Sequence, residues 1–391
     1  MSAAHFAVGL SVARSGSSAA LALFGLGFVI IATASDAHRA VIWLPMTQEA
    51  DGRQYRAARR LSVVLGAGSG AVALVSAWLL ARAGLQDWAA LALSLAVVLP
   101  LLFAQEIQRR IQFSSLRPDR ALLADVIYAA AALAGILWLP SFGGGAGAPA
   151  VRALLTLGMA AVSAGLVGAW LLRGMPETEW SITQLAGRYR PTAQAYVLNA
   201  GLVFASQRLS MLVIAGILGF DALANVEAAR LLTAPLMVAA TGLAALAVPM
   251  VSHTLRRDGP RVMRAKLDRI TTWAVLLASV YGVILFFGME ALSNFAFGRQ
   301  FENGSTLALL FCGIAASSLI ATALVAPVGL AGRADAVPRA RIPGVALVTI
   351  ACVPAALLLD EHAILGLVLI EGILTAGLLR RTVERLYAVA P

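Results

Sequence analysis

Three arginines interrupt stretches of sequence that are otherwise apolar: Arg39, Arg208 and Arg230. A charged side chain deep in a bilayer costs at least ~2.5–3.5 kcal/mol on insertion scales, so it faces a cavity or a partner. Arg208 is the sharpest case. Ser206, Gln207 and Ser210 surround it with polar groups, and a rise of 1.5 Å per residue puts it roughly 24 Å into its helix, near or past the midplane. Such a residue can line a substrate pathway; the competing reading is a structural tie to an Asp or a backbone carbonyl. Arg230 follows Glu227 by three residues on one helix face, so a local ion pair competes evenly with a ligand contact. Arg39 has Asp36 at i−3 and His38 beside it, and snorkelling towards the near surface also accounts for it. Glu371, in the middle of the last apolar run, and Asp36 are candidates to carry a coupling ion. For Glu371 a carboxyl hydrogen-bonded to a neighbouring helix is the alternative. Glu106 and Asp125, beside Arg109, Arg110 and Arg120, read as ion pairs at the membrane interface.

Membrane helices must position all of these groups. Hydrophobic residues fill 60% of the 391 positions and charged residues 13%, with a mean hydropathy of +0.84; a soluble domain is about half apolar and a quarter charged. Apolar runs recur near 1–13 (partial), 17–46, 61–83, 86–105, 121–140, 151–172, 192–219, 223–252, 270–289, 304–330, 342–359 and 362–379. The expected fold is all-α, a polytopic transmembrane bundle of about eleven full spans plus a shortened first helix, since ~20 apolar residues are needed to cross. The connectors are short and rich in turn residues, such as Arg14-Ser-Gly-Ser-Ser, Pro140-Ser-Phe-Gly-Gly-Gly and Asp360-Glu-His. None can form a soluble domain, so function is expected within or beside the bilayer. Gly66, Gly68, Gly70 and the Gly158–Gly168 series read as close helix packing, and Trp43, Trp88 and Trp138 as interface anchors.

The net charge of +10 is topology information. Of the 30 basic residues, 23 fall on alternate connectors and the C-terminal tail, including Arg53, Arg56, Arg59, Arg60, Arg109, Arg110, Arg173, Arg188, Arg256, Arg264, Lys266, Arg333, Arg339, Arg341, Arg380 and Arg385. The opposite side holds only Arg14, Arg82, Arg152 and Arg299. The positive-inside rule then places the C-terminus in the cytoplasm. No basic patch interleaves with aromatics, which excludes a nucleic-acid partner. Cys312 and Cys352 lie in apolar runs, so no disulfide framework, metal or cofactor is expected.

The chain also repeats itself. Leu44-Pro-Met ends the second run and Val248-Pro-Met the eighth, 204 residues apart, and each leads into a basic stretch ending Arg-Ala. This predicts two parallel halves of six spans: 1–173 with a truncated first helix, a cytoplasmic linker over 174–191, and 192–391. Stepping back by the repeat puts the start of the first helix before Met1.

Several stretches resemble the polysaccharide and O-antigen flippases of the MOP (multidrug/oligosaccharidyl-lipid/polysaccharide) exporter superfamily. They are FASQRLSMLVIAGILGFDALANVEAARLLTAPLMVAATGLAALAVP from Phe204 to Pro249, AQEIQRRIQFSSLRPDRALLADV from Ala104 to Val126, and FGRQFENGSTLALLF from Phe297 to Phe311. The resemblance implies flipping of an undecaprenyl-pyrophosphate-linked oligosaccharide across a bacterial inner membrane, by rocking two six-helix bundles about a cationic cavity lined by spans 1, 2, 7 and 8. Arg39, Arg208 and Arg230 would then form a ladder of substrate contacts, because arginine's fork pairs phosphate oxygens and stays charged at low dielectric. The partners implied are the lipid-linked oligosaccharide, membrane lipids and other proteins of lipopolysaccharide or polysaccharide assembly, and no covalent chemistry is involved.

The rivals are a multidrug cation antiporter of the same superfamily, a non-transporting relative, and a membrane enzyme of polysaccharide assembly. An antiporter for cations calls for acid-lined spans. A polymerase or glycosyltransferase calls for a large external loop or an acidic pair at the first outer turn, where this chain has Arg14-Ser-Gly-Ser-Ser.

Overall fold

The computed structural model describes residues 3–15, 18–48, 54–115, 117–138, 148–173, 181–297 and 304–388. Parts of the Arg14-Ser-Gly-Ser-Ser, 140–145, 174–191 and 297–304 connectors, with Arg53 and Arg299, lie outside those residues. Every regular element described is a helix. In chain order they are α1 (Ala3–Ser15), α2 (Ser18–His38), α3 (Tyr55–Arg82), α4 (Gln86–Ser114), α5 (Pro118–Trp138) and α6 (Ala148–Leu171). Then follow α7 (Ile182–Val203), α8 (Phe220–Leu232), α9 (Ala234–Phe297), α10 (Gly304–Leu330), α11 (Ala336–Leu358) and α12 (Glu361–Leu386). Among the described residues, ten helices are long and apolar enough to cross a membrane, or eleven when the bent pair α8 and Ala234–Ala244 is one span. α1, with 13 residues, reaches only about 20 Å at 1.5 Å per residue.

Local chemistry explains the breaks. The expected run 223–252 is bent by 59° between α8 and the first turns of α9. Pro235 lacks an N–H and its ring clashes with the carbonyl four residues back. Thr233 takes up slack by donating to the carbonyls of Ala229 and Arg230, and Tyr281 donates its phenol to the carbonyl of Leu232 at 2.7 Å. α9 breaks again at Gly259, whose φ of 83° suits glycine alone; beyond the break Lys266 reaches back to Thr254 at 2.7 Å. α7 begins at Ile182, inside the segment read as linker.

The described residues form two compact units, one running to Gln194 and the other from Ala195 onward. In the first, α4 packs on α3 and α6, and α1, α2 and α5 also pack on α6. Val8, Val12, Phe24, Leu95, Val98, Leu154 and Leu157 form its main core, and a second cluster around Ile42, Trp43, Met46, Ile107, Ile111 and Leu185 closes the arginine-rich end. In the second unit, α10 packs on α8, α9 and α12, and α11 packs on α12.

Glycines set the closest approaches. A Cβ on Gly66 would lie 3.1 Å from the Pro100 Cα, and one on Gly70 2.8 Å from the Ala96 carbonyl oxygen, whereas Gly68 faces open space. Gly158 and Gly168 give α4 room at Val98 and Gln108. Gly70→Leu is expected to lower stability by about 1–3 kcal/mol through overpacking, and Gly68→Leu to leave it unchanged. Thermal unfolding of the two variants in detergent checks this.

Candidate functional site

In the first unit the polar groups gather at the arginine-rich ends of α2, α4 and α5. α2 continues through one π-helical turn, Arg39–Trp43, into Leu44–Gln48. Arg39 is at the start of that turn, 3.9 Å from Asp36, with its side chain 38% exposed. Trp43 is buried, which corrects its reading as an interface anchor. The guanidinium groups of Arg39 and Arg110 lie over its ring, 5.6 Å and 4.3 Å from the centroid, a cation–π arrangement. Arg110 donates to Glu106 at 2.6 Å, and Arg109 to Asp125 at 3.0 Å and Glu106 at 3.4 Å. The expected ion pairs of Glu106 and Asp125 are therefore present, as one network spanning α4 and α5. Beside it the buried His38 ring stacks on Phe103 and lies 2.8 Å from the Ser62 hydroxyl, which donates to the Phe103 carbonyl.

In the second unit Arg208 closes a π-helical turn, Phe204–Arg208, and a second such turn covers Ile214–Leu218. Inserting an extra residue into a turn re-aims side chains and is frequent at functional sites. Arg208 is half-buried, while Ser206 and Ser210, two residues to either side in sequence, are buried. Ser206 donates to the Leu202 carbonyl at 3.2 Å and Ser210 to the carbonyl of Ser206, so both hydroxyls are turned onto their own helix. Arg230 is 8% and Glu227 1% exposed. The Arg230 Nε donates to Glu227 Oε2 at 2.6 Å, and Nη2 reaches the same oxygen. The local ion pair, one of the two readings of Arg230, is thus formed.

Glu371 is wholly buried on α12. Its Oε1 lies 3.1 Å from Nη1 of Arg341, on the first turns of α11, and accepts from Thr375 at 3.1 Å. Sequence reasoning grouped Arg341 with the connector arginines 333 and 339. The missed signal was Arg341-Ile-Pro-Gly344, where a proline and a glycine follow the arginine inside an apolar run. Among the described residues no cluster of three or more His, Cys, Asp or Glu could hold a metal ion.

Solved structures give the wider frame. An inward-facing multidrug resistance MATE family transporter of the MOP superfamily superimposes with a TM-score of 0.69 at 15% identity, over 99% of this chain and 96% of that one. An outward-facing structure gives 0.71 at 16%, over 99% and 93%. The chain has the fold of the MOP-superfamily transporters. A further MOP transporter, from Pyrococcus furiosus, gives 0.70 at 16% over 97% and 92%; reverse polarity of its binding pocket is said to suggest a different function. No family model and no curated protein matches the sequence. Within the MOP fold, Arg39 belongs to the first unit and Arg208 and Arg230 to the second; Glu227 and Arg341 lie closer to Arg230 and Glu371 than Asp36 does to Arg39.

Proposed function

We propose that this chain is an inner-membrane flippase for polyprenyl-pyrophosphate-linked oligosaccharide, with its arginine-rich side and C-terminus in the cytoplasm, working by alternating access. The observation that carries this reading is the state of the carboxylates. Asp36, Glu106, Asp125, Glu227 and Glu371 each stand in an ion pair with an arginine. Among the described residues, no ion pair is shown for the exposed Asp87, Asp119, Asp221 and Glu290 or for the half-buried Glu361. A pathway for organic cations calls for carboxylates not already neutralised by the protein's own cations. A pyrophosphate headgroup instead calls for guanidinium groups in low dielectric, where charge-assisted hydrogen bonds are strong. Arg39 and Arg208, each partly exposed at a π-helical turn, are assigned to the phosphates, and Arg230 acts with Glu227 as a neutral pair. The greasy tail stays in lipid, and no bond is made or broken. Asp36, whose pair with Arg39 is the longest of these at 3.9 Å and is part-exposed, is the remaining coupling-ion candidate.

The multidrug reading is the alternative, favoured by the MATE neighbours. One experiment separates them. Proteoliposomes are given a fluorescent polyprenyl-pyrophosphate oligosaccharide on one leaflet, or loaded with ethidium. Flipping of the lipid above protein-free vesicles, with ethidium retained, is the expected result; ethidium efflux without lipid flipping would replace the flippase by the antiporter.

A further inference from the structure

We propose that the guanidinium of Arg341 is the resident cation of a monovalent-cation site built around Glu371, so that this half of the protein needs no free ion at that carboxylate. The site is formed where α10, α11 and α12 converge. Glu371 is 0% exposed, and a carboxylate there must be neutralised by a proton, an ion or a neighbouring side chain. The helices are shaped to bring it against Arg341. A Cβ on Gly344, one turn beyond Arg341, would lie 3.0 Å from the Glu371 Cα and 2.9 Å from its Cγ. Gly372 next to it abuts the hydroxyl of Ser317 on α10, so two hydroxyl-bearing side chains, Thr375 and Ser317, stand close to the carboxylate's turn of helix.

The manner of contact is what marks the site as one for a simple cation. Arginine at a carboxylate normally uses its planar fork, with two parallel N–H donors. Arg341 does not. Its Nη1 comes to 3.1 Å of Oε1, yet neither Nη1 nor Nε makes a hydrogen bond, and the second carboxylate oxygen, Oε2, is buried with no donor. The arginine side chain, 13% exposed, therefore supplies positive charge at one point and leaves an acceptor that a small ion would also satisfy. This inference does not depend on the flippase reading, since it concerns which charge neutralises Glu371 whatever the cargo.

The test is thermal unfolding of the purified full-length protein in sodium chloride and in choline chloride at equal ionic strength. The wild type is expected to unfold at the same temperature in both. Arg341→Met is expected to be less stable in choline and to regain about 2 °C or more in sodium, as a ligand of the folded state does. Arg341→Met/Glu371→Gln, with both charges gone, is expected to lose the sodium effect. Five results overturn the proposal: a sodium-specific rise in the wild type that Glu371→Gln removes, a folded Arg341→Met indifferent to the salt, an Arg341→Met that fails to fold in sodium as in choline while the double variant folds, a double variant that keeps the sodium effect, or failure of both variants to fold.

Discussion

Arg208→Ala is expected to cut lipid flipping by roughly thirtyfold or more while leaving the amount of folded protein unchanged. Truncating one partner of a desolvated charge pair costs about 2–5 kcal/mol, and about 1.4 kcal/mol is tenfold in rate. The loss falls on function because the side chain is half-buried at the end of a π-helical turn, and the hydroxyls of Ser206 and Ser210 are bonded to their own helix. Arg208→Lys separates charge from shape: a lysine keeps the attraction but loses the fork, so its rate is expected between those of alanine and the wild type. Initial flipping rates in proteoliposomes, normalised to reconstituted protein, measure both. Alanine at the wild-type rate would keep the transporter and remove Arg208 from the phosphate path.

Glu227→Gln is expected to have the opposite profile, a loss of folded protein before any loss of chemistry. It breaks the pair between Glu227 and Arg230, which is 8% exposed, and breaking a buried pair by removing one partner costs about 3–5 kcal/mol. Replacing both residues removes both charges, so Glu227→Gln/Arg230→Gln is expected to recover most of the midpoint lost by the single variant. The coupling read from this double-mutant cycle decides what Arg230 does. A double variant that folds and flips lipid at the wild-type rate makes the pair structural. One that folds and does not flip returns Arg230 to the substrate path.

The spans were legible because burial in hydrocarbon leaves a one-dimensional mark: some twenty apolar residues in a row, interrupted by arginine clusters on one side. The bend in the eighth span was written in Thr233-Ala-Pro235, but a proline in a membrane helix is equally compatible with a straight span. The π-helical turns at Arg39–Trp43 and Phe204–Arg208 leave no such mark, because one extra residue in one turn barely shifts the apolar period. Among the charged groups, pairs within a helical turn could be read off, as with Glu227 and Arg230. Arg341 and Glu371 are thirty residues apart and meet only because two helices cross at Gly344. Trp43 failed for the same reason: its burial under Arg110 comes from α4, a partner no local window contains.

The C-terminal end of α12 adds a consequence for anyone mapping orientation. Arg264 donates to the backbone carbonyls of Glu384 and Tyr387, Arg380 to Asp268 at 2.8 Å, and the Tyr387 phenol to the Pro327 carbonyl at 2.8 Å. Two of the very cations that the positive-inside rule counts thus also act as fasteners, Arg264 by capping carbonyls that a helix end leaves bare and Arg380 by pairing with Asp268 on α9. Charge-deletion scans, which strip loop arginines to invert a protein's insertion, would here unclip the last helix as well. Arg385, for which no such clip is seen among the described residues, is the better position for a reporter of sidedness.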